Sequence, residues 1–305
     1  LGTTNTLLAR WDGEANRPRV VELPGLARRA GRGEDSPRGV PSAIHVLDPL
    51  PLLARLRGWA RDAPRAQIGQ AAFDLNYLQP RLNFVATFKR ALSMSPMMTV
   101  ARSSARAYSA REAAELYLGE LLAAARRSTA ERVRELVVTA PVDAFDTYRA
   151  ELAQIGRRLG LKRLRVLDEP VAAALGYGLG LTRDRKVLIV DFGGGTLNLA
   201  LVGLNASDAQ AGRAEVLAKS AADVGGDLVD RWILEEFSGR LGWANEEEPS
   251  DEAQLWRRLM LAEACRVKEA VYFDERASFE VSLPETRRRF EQRLRGEAPA
   301  LELTR

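Results

Sequence analysis

A carboxylate, three consecutive glycines and a hydroxyl side chain occur together at Asp191–Thr196, in the segment DFGGGT. Glycine backbone can take positive φ and can approach a phosphate closely, because no Cβ stands in the way. Thr196 adds a hydroxyl donor, and the Asp191 carboxylate can meet a metal ion. The combination predicts phosphate and metal chemistry at one turn. A glycine-rich turn made for shape alone is the alternative that these residues leave open by themselves.

This turn is predicted to be presented by a β-hairpin, Val187–Val202. Val187–Val190 is a continuous apolar run, which we interpret as a buried strand that carries Asp191 at its end. Leu197–Val202 returns as the second strand. A strand rather than a helix follows the glycines, and the segment lacks the G-x-x-x-x-G-K-[ST] pattern, so neither a P-loop nor a Rossmann site fits.

Strands and helices alternate in the region before the hairpin. Ser109 is predicted to cap a helix that runs to about Arg127, with Glu112 completing a capping box. Asp146 and Gly160 are predicted to begin and end the next helix. This order predicts an α/β lobe. The strands and helices that follow Arg127 are predicted at Leu136–Thr139, Thr147–Leu159, Leu164–Leu167 and Val171–Tyr177.

A second lobe is predicted to begin at about Lys186, with the hairpin. A Gly-Gly loop, a helix, an acidic linker, a long helix and a strand are expected to follow Val216–Ala218, the third strand of this lobe. These elements are predicted at Asp223–Asp227, Leu228–Leu241, Asn245–Asp251, Glu252–Val271 and Ala277–Leu283.

Composition excludes several classes of protein. The chain has 305 residues, of which 46% are hydrophobic and 28% charged, as in ordinary globular proteins. The net charge is +4, but the arginines are scattered among acids and apolar residues, so we expect no nucleic-acid partner. No apolar run is long enough to span a bilayer, and we expect no membrane association. The single Cys265 fits a reducing cytosol, and His45, in an apolar run, is expected to be structural rather than a ligand.

Five segments resemble, in the same order, the nucleotide-binding domain of seventy-kilodalton heat-shock (DnaK-type) chaperones. The resemblance covers nearly the whole chain and is weakest over Pro49–Met98. The matching segments are Leu1–Thr6 (LGTTNT), Val137–Pro141 (VVTAP) followed by Tyr148 and Arg149, Val166–Leu179 (VLDEPVAAALGYGL), the hairpin Val187–Val202, and Val224–Asp227 (VGGD) with Asp230.

The resemblance implies an α/β, actin-like ATPase fold of the ribonuclease-H-like type, with two α/β lobes around a nucleotide cleft. Residues 1–185 would form lobe I, with 41–108 as its peripheral subdomain. Residues 186–305 would form an incomplete lobe II, with 243–305 as its peripheral subdomain. The peptide-binding domain would be absent, so we expect either a fragment of a longer product or a truncated paralogue that binds ATP weakly.

The family's binding residues carry over position by position, with ATP or ADP, Mg²⁺ and a candidate K⁺ as ligands. Lys89 would reach the γ-phosphate and the attacking water, with a solvated surface lysine as the alternative. Glu169 and Asp191 would lie in the water shell of the metal, and Lys268 would face the adenosine. The remaining phosphate and ribose contacts would come from Gly2, Thr3, Thr4, Gly193, Gly194, Gly195, Thr196, Gly225 and Gly226.

Three residues depart from the family's pattern. Asn198 replaces an aspartate, which predicts slower hydrolysis. Cys265 and Tyr272 stand where the family has Glu and Ser on the helix face that carries Lys268. Tyr272 would stack on a base or crowd it out; an ordinary core-facing Cys265 and a surface Tyr272 are the alternative.

The expected function is ATP binding and hydrolysis in a cytoplasmic DnaK-type chaperone that assists protein folding. Pro141 and Arg149 would couple nucleotide state to a peptide-binding domain. The expected partners are unfolded client peptides, J-domain proteins and nucleotide-exchange co-chaperones. The alternatives are a non-hydrolysing paralogue that acts as a nucleotide sensor or scaffold, and another actin-like ATPase.

Overall fold

The computed structural model describes residues 1–29, 38–49, 65–78, 81–141, 146–178, 183–205, 214–240, 251–279 and 301–304. The strands are β1 (Asn5–Thr6), β2 (Ala9–Asp12), β3 (Arg17–Val20), β4 (Arg28–Arg29), β5 (Arg38–Pro41), β6 (Ala43–Val46), β7 (Ala66–Ile68), β8 (Phe84–Ala86), β9 (Thr99–Arg102), β10 (Ala107–Ser109), β11 (Glu135–Ala140), β12 (Arg163–Asp168), β13 (Arg185–Phe192), β14 (Leu197–Leu204), β15 (Glu215–Ala222), β16 (Arg276–Phe279) and β17 (Leu301–Thr304). The helices are α1 (Gly69–Leu78), α2 (Lys89–Met94), α3 (Ala110–Thr129), α4 (Asp146–Arg158), α5 (Glu169–Gly178), α6 (Gly226–Arg240) and α7 (Asp251–Phe273).

These elements form two compact units, and the mixed α/β class is confirmed. Unit 1 comprises residues 1–73 and 83–223, and unit 2 comprises residues 74–82 and 224–305. The predicted lobe boundary at residue 185 therefore falls inside unit 1, and the division into lobes stays a prediction. In the described part of the chain, none of the helices combines the length and apolar character that a membrane crossing requires.

The main core of unit 1 surrounds helix α3. Ser109 accepts a hydrogen bond from the backbone N–H of Glu112, whose carboxylate accepts from the N–H of Ser109, so the predicted capping box is confirmed. The buried face of α3 includes Tyr117, which packs against Phe88 with ring centroids 5.3 Å apart. His45 is buried in β6, as expected of a structural histidine.

Strands β11 and β12 run parallel, in a register that pairs Leu136 with Leu164 and Ala140 with Asp168. Both strands therefore end at the same edge, where α5 begins directly at Glu169. Helix α4 packs against β12 and ends as predicted, because Gly160 takes a φ of +73° and stops the helical turn. The predicted strand, helix, strand and helix order of this region is confirmed.

The hairpin that carries the glycines is confirmed as β13 and β14, with β15 as a third antiparallel strand. The prediction of a buried first strand is wrong for alternate residues, because Leu188 and Val190 are exposed. Among the described residues, only the opposite face of the sheet is covered: Val187 and Ile189 pack in the core cluster that includes Ala174 of α5. An apolar run alone does not show whether both faces of a strand are covered.

Unit 2 has its own core between α6, α7 and the β16–β17 pair. Phe237 of α6 stacks on Phe279 of β16 with ring centroids 4.0 Å apart, and Val267 of α7 is fully buried beside them. The predicted helices at 228–241 and 252–271 are confirmed with small shifts in their ends. The acidic linker is predicted at 245–251; its residues before 251, and the end of the predicted strand at 280–283, lie outside the described residues.

Candidate functional site

A buried ion pair lies at the centre of the candidate site in unit 1. The Nζ atom of Lys89, at the start of α2, donates to Oε1 of Glu169, at the start of α5, over 2.6 Å. Their side chains are only 7% and 17% exposed. The alternative of a solvated surface lysine at position 89 is therefore wrong.

Asp191, at the end of β13, belongs to the same electrostatic cluster. Burial raises the pKa of Asp191, the negative charge of Glu169 raises it further, and the positive charge of Lys89 opposes both effects. The raised pKa means that the folded protein compensates the negative charge of Asp191 incompletely. Asp191 thus lies within electrostatic reach of both members of the Lys89–Glu169 pair.

The first glycine-threonine loop has a tight backbone. The side chain of Leu1, at its start, is buried in the core of unit 1. At Gly2 an added Cβ would lie 2.1 Å from the backbone oxygen of Asn5, so no side chain fits there. Glycine at position 2 is therefore required by the tight backbone of the loop.

The loop at the hairpin turn meets the first loop directly. The backbone N–H of Gly193 donates to the carbonyl of Thr196 over 2.9 Å, which closes the turn. A Cβ on Gly194 would lie 2.2 Å from Oγ1 of Thr4 and 3.5 Å from Cβ of Thr3. The fold thus places two loops rich in glycine and threonine against each other.

Asn198 of β14 is 1% exposed and lies opposite Asp191 in the hairpin register. Its Nδ2 donates to Oγ1 of Thr196 over 3.1 Å, which holds the threonine at the turn. Its Oδ1 is buried and has no hydrogen-bond partner in the described structure. A buried acceptor without a donor costs about 1–3 kcal/mol, and a ligand or water that donates to this oxygen would remove the cost.

In unit 2 the predicted residues Gly225, Gly226 and Lys268 lie together. Lys268 of α7 is 2.7 Å from the carboxylate of Asp230 and donates to the carbonyl of Gly226 over 3.2 Å. Burial alone would lower the pKa of Lys268, but Cys265, Asp230 and a neighbouring glutamate outweigh it and raise the pKa. Lys268 therefore ties the Gly-Gly loop to α7.

The two unusual residues on the same helix differ in exposure. Cys265 is half-buried, and its sulfur lies 3.7 Å from Oε1 of Glu269. Tyr272 is exposed and contacts Phe273 edge to face, with ring centroids 5.1 Å apart. The alternative of a surface Tyr272 therefore agrees with the structure.

Tyr148 and Ser42 were not singled out by sequence reasoning as site residues. Tyr148 of α4 is fully buried, and its hydroxyl has no hydrogen-bond partner within the described residues. Burial and then the negative charge of Glu169 raise the pKa of Tyr148, so the Tyr148 hydroxyl lies within electrostatic reach of Glu169. Its neighbour Arg149 forms an ion pair with Asp168, the residue before Glu169. Tyr148 was matched to the family's pattern together with Arg149, but no role at the site was predicted for it.

The candidate site has few conventional metal ligands. Within the described ranges, no group of three or more histidine, cysteine, aspartate or glutamate side chains could hold a metal ion directly. Glu169 contacts Lys89 directly, and Asp191 experiences the charges of both residues. Two carboxylates fit an ion that keeps most of its own water, as Mg²⁺ does.

Comparison with known proteins identifies the family. A family model described as Hsp70 protein matches residues 67–288. The chain is 26% identical, over 261 residues, to the chaperone protein DnaK of Mycoplasma mobile (strain ATCC 43663 / 163K / NCTC 11711); the match covers 85% of this chain and 37% of that protein. The chain therefore spans little more than a third of the length of this relative. An Hsp70 domain implies the actin-like ATPase fold and nucleotide binding with Mg²⁺. The chain belongs to the Hsp70 protein family.

Proposed function

We propose that this chain is the ATP-binding and ATP-hydrolysing part of a DnaK-type molecular chaperone. The observation that carries the proposal is the close approach of Gly194 to Oγ1 of Thr4, where a Cβ would lie 2.2 Å away. Two loops from distant parts of the sequence meet there. The charges of Lys89 and Glu169 also act on Asp191, which lies two residues before Gly193.

Both loops would bind the phosphates of ATP. Gly2, Thr3 and Thr4 would supply backbone and hydroxyl donors to the β- and γ-phosphates, and the hairpin turn would close on the same phosphates. The absence of side chains at the glycines lets the backbone approach an anion, and successive N–H groups of a turn form a natural anion site. The donors of the turn would be Gly193, Gly194, Gly195 and Thr196.

Lys89, Glu169 and Asp191 would promote the hydrolysis of ATP. In phosphoryl transfer the protein mainly positions the reactants and neutralises charge. Lys89 would orient the γ-phosphate and the attacking water, and its ion pair with Glu169 holds the ammonium in place. Bound Mg²⁺ would neutralise phosphate charge, and Glu169 and Asp191 would hold it through its water shell. A cation beside Asp191 would also oppose the burial and the negative charge of Glu169, which raise its pKa.

Gly225, Gly226 and Lys268 would serve the ribose, the outer phosphates and the adenosine. Lys268 already has two protein partners, Asp230 and the carbonyl of Gly226. Its role would therefore include fixing the Gly-Gly loop for the nucleotide. In this proposal the family's two lobes, residues 1–185 and 186–305, bound the nucleotide cleft.

The rest of the proposal concerns the whole protein. ATP turnover would control the binding of unfolded client peptides by a further domain, through Pro141 and Arg149. J-domain proteins and nucleotide-exchange co-chaperones would regulate the cycle, and the protein would act in the cytoplasm.

The test uses the effect of one methyl group at the contact between the loops. Gly194→Ala forces Thr4 or the turn to shift, since overpacking of this kind costs about 1–3 kcal/mol. We expect the Kd for ATP in the presence of Mg²⁺, measured by calorimetry, to rise about tenfold or more, since about 1.4 kcal/mol corresponds to a factor of ten. Release of phosphate should fall in parallel.

Gly13→Ala is the matched control, because a Cβ at Gly13 meets nothing within 4 Å and the residue belongs to the same unit. It should leave the Kd unchanged. No ATP binding by the wild-type chain would refute the proposed function. Binding without phosphate release would instead indicate a nucleotide sensor.

A further inference from the structure

Ser42 lies between β5 and β6 in the core of unit 1 and is only 2% exposed. A buried serine must satisfy its hydroxyl as well as its backbone groups, because each unpaired polar group is costly in the interior. The partners of Ser42 therefore show which parts of the fold depend on its position.

The side chain of Ser42 is bonded to the first glycine-threonine loop. Its hydroxyl donates to the carbonyl of Gly2 over 2.7 Å and lies 3.0 Å from the hydroxyl oxygen of Thr6. Its backbone N–H donates to the carbonyl of Thr4 over 2.8 Å. One residue thus contacts the beginning, the middle and the end of the loop.

The backbone carbonyl of Ser42 binds the segment that leads to Lys89. It accepts the backbone N–H of Thr87 over 3.0 Å. Thr87 has a φ of +57°, in the left-handed region that β-branched residues rarely adopt. Such a conformation persists only where the surrounding contacts impose it. Thr87 lies two residues before Lys89, the first residue of α2.

The backbone just before Ser42 is fixed as well. The hydroxyl of Tyr117 is 3.3 Å from the carbonyl of Val40 and 3.2 Å from that of Pro41, to which it donates. Burial raises the pKa of Tyr117 to about 12, so the hydroxyl keeps its proton at neutral pH. Ser42 is thus held by the core through Tyr117.

We propose that Ser42 is a positioning residue that fixes the Gly2–Thr4 loop and the Lys89 ammonium relative to each other. The functional importance of Ser42 rests on the proposed function, since the loop and Lys89 would contact the same phosphate. The hydrogen bonds of Ser42 are observed independently of that function. A displacement of Ser42 would shift the Gly2–Thr4 loop and Lys89 together. Replacement of a serine that only fills space would not selectively change the position of either.

The test compares Ser42→Ala with the wild-type chain, first without nucleotide. The substitution removes both hydroxyl contacts but keeps the carbonyl that accepts from Thr87. Hydrogen exchange measured by mass spectrometry should become about tenfold faster in peptides that cover residues 1–6 and also in those that cover 85–92. Faster exchange in residues 1–6 alone, or in neither segment, would overturn the proposal.

Ser109→Ala is the control for a general loss of stability. Ser109 is also buried, and its side chain accepts the backbone N–H of Glu112 at the start of α3. It should lower the melting temperature without selectively changing exchange in the two segments; the same selective pattern in this variant would overturn the proposal. If Ser42→Ala does not fold, Thr6→Val removes one of the same contacts with little change in shape, and should give a smaller effect in both segments.

With MgATP, Ser42→Ala should raise the Kd about tenfold and also slow single-turnover phosphate release at saturating ATP. A higher Kd with an unchanged rate would show that Lys89 keeps its position, and would contradict the coupling. Failure of the wild-type chain to bind ATP would refute the proposed function, while the exchange experiment would still decide whether Ser42 couples the two segments.

Discussion

Replacement of Lys89 by methionine removes the positive charge from the cluster of Lys89, Glu169 and Asp191. At the 2.6 Å separation of Nζ and Oε1, and with an effective dielectric constant of about 20, the attraction is about 6 kcal/mol before desolvation is subtracted. Loss of one partner of a buried pair typically destabilises a protein by about 3–5 kcal/mol. We expect Lys89→Met to fall in this range, because it leaves two neighbouring carboxylates without compensation.

Glu169→Gln should destabilise the protein less, by about 1–2 kcal/mol, because Lys89 then still compensates Asp191. The double variant should be more stable than the sum of the single effects predicts, with a coupling energy of about 2 kcal/mol. Urea unfolding of the four proteins without nucleotide, followed by circular dichroism and fitted with two transitions if the units unfold separately, measures this quantity. A coupling energy below about 0.5 kcal/mol, as in exposed pairs, would refute a buried ion pair.

Asn198→Asp should raise ATP turnover about tenfold, which corresponds to about 1.4 kcal/mol of the activation barrier. The new carboxylate, opposite Asp191 in the hairpin, would help to hold a cation near the γ-phosphate. Equal or faster turnover by the wild-type chain would contradict this prediction. Tyr148→Phe should change the free energy of unfolding by less than about 1 kcal/mol, since the lost hydroxyl has no partner; a larger loss in urea unfolding would show that the hydroxyl is bonded. Burial would lower the pKa of Lys268, but Cys265, Asp230 and Glu269 outweigh burial and raise it. The charged Lys268 should therefore contribute its full stabilisation below the pKa of about 10.4 in the unfolded chain. This stabilisation should disappear as the pH rises through the higher pKa of Lys268 in the folded protein. Lys268→Met should remove this part of the alkaline stability loss, measured by urea unfolding from neutral pH to about pH 11; an unchanged pH profile would contradict the assignment.

Structural features that depend on residues close together in the chain were predicted well from the sequence. The capping box of Ser109 and Glu112, and the helix end at Gly160, depend on residues a few positions apart, so the sequence contains the whole interaction. The hairpin was predicted for the same reason, since the glycine turn and both strands are adjacent in the chain.

Contacts between distant segments could be predicted only in part. The family resemblance singled out Lys89 and Glu169 separately, but their direct ion pair depends on how α2 and α5 pack. Likewise, the apolar run before Asp191 predicted a strand but not which of its faces is covered. The sequence did not predict a role for Ser42. Its four hydrogen bonds join segments that are brought together only in the folded chain.

The contact between Thr4 and Gly194 also determines when the site can first exist. At a synthesis rate of about 5–20 residues per second, the second loop leaves the ribosome on the order of ten to forty seconds after the first. Until then the first loop has no partner against which to complete a phosphate site. A ligand that binds only the finished site stabilises only chains that have reached that point. ATP would therefore act during biosynthesis as a selective stabiliser of chains in which the two loops have already met.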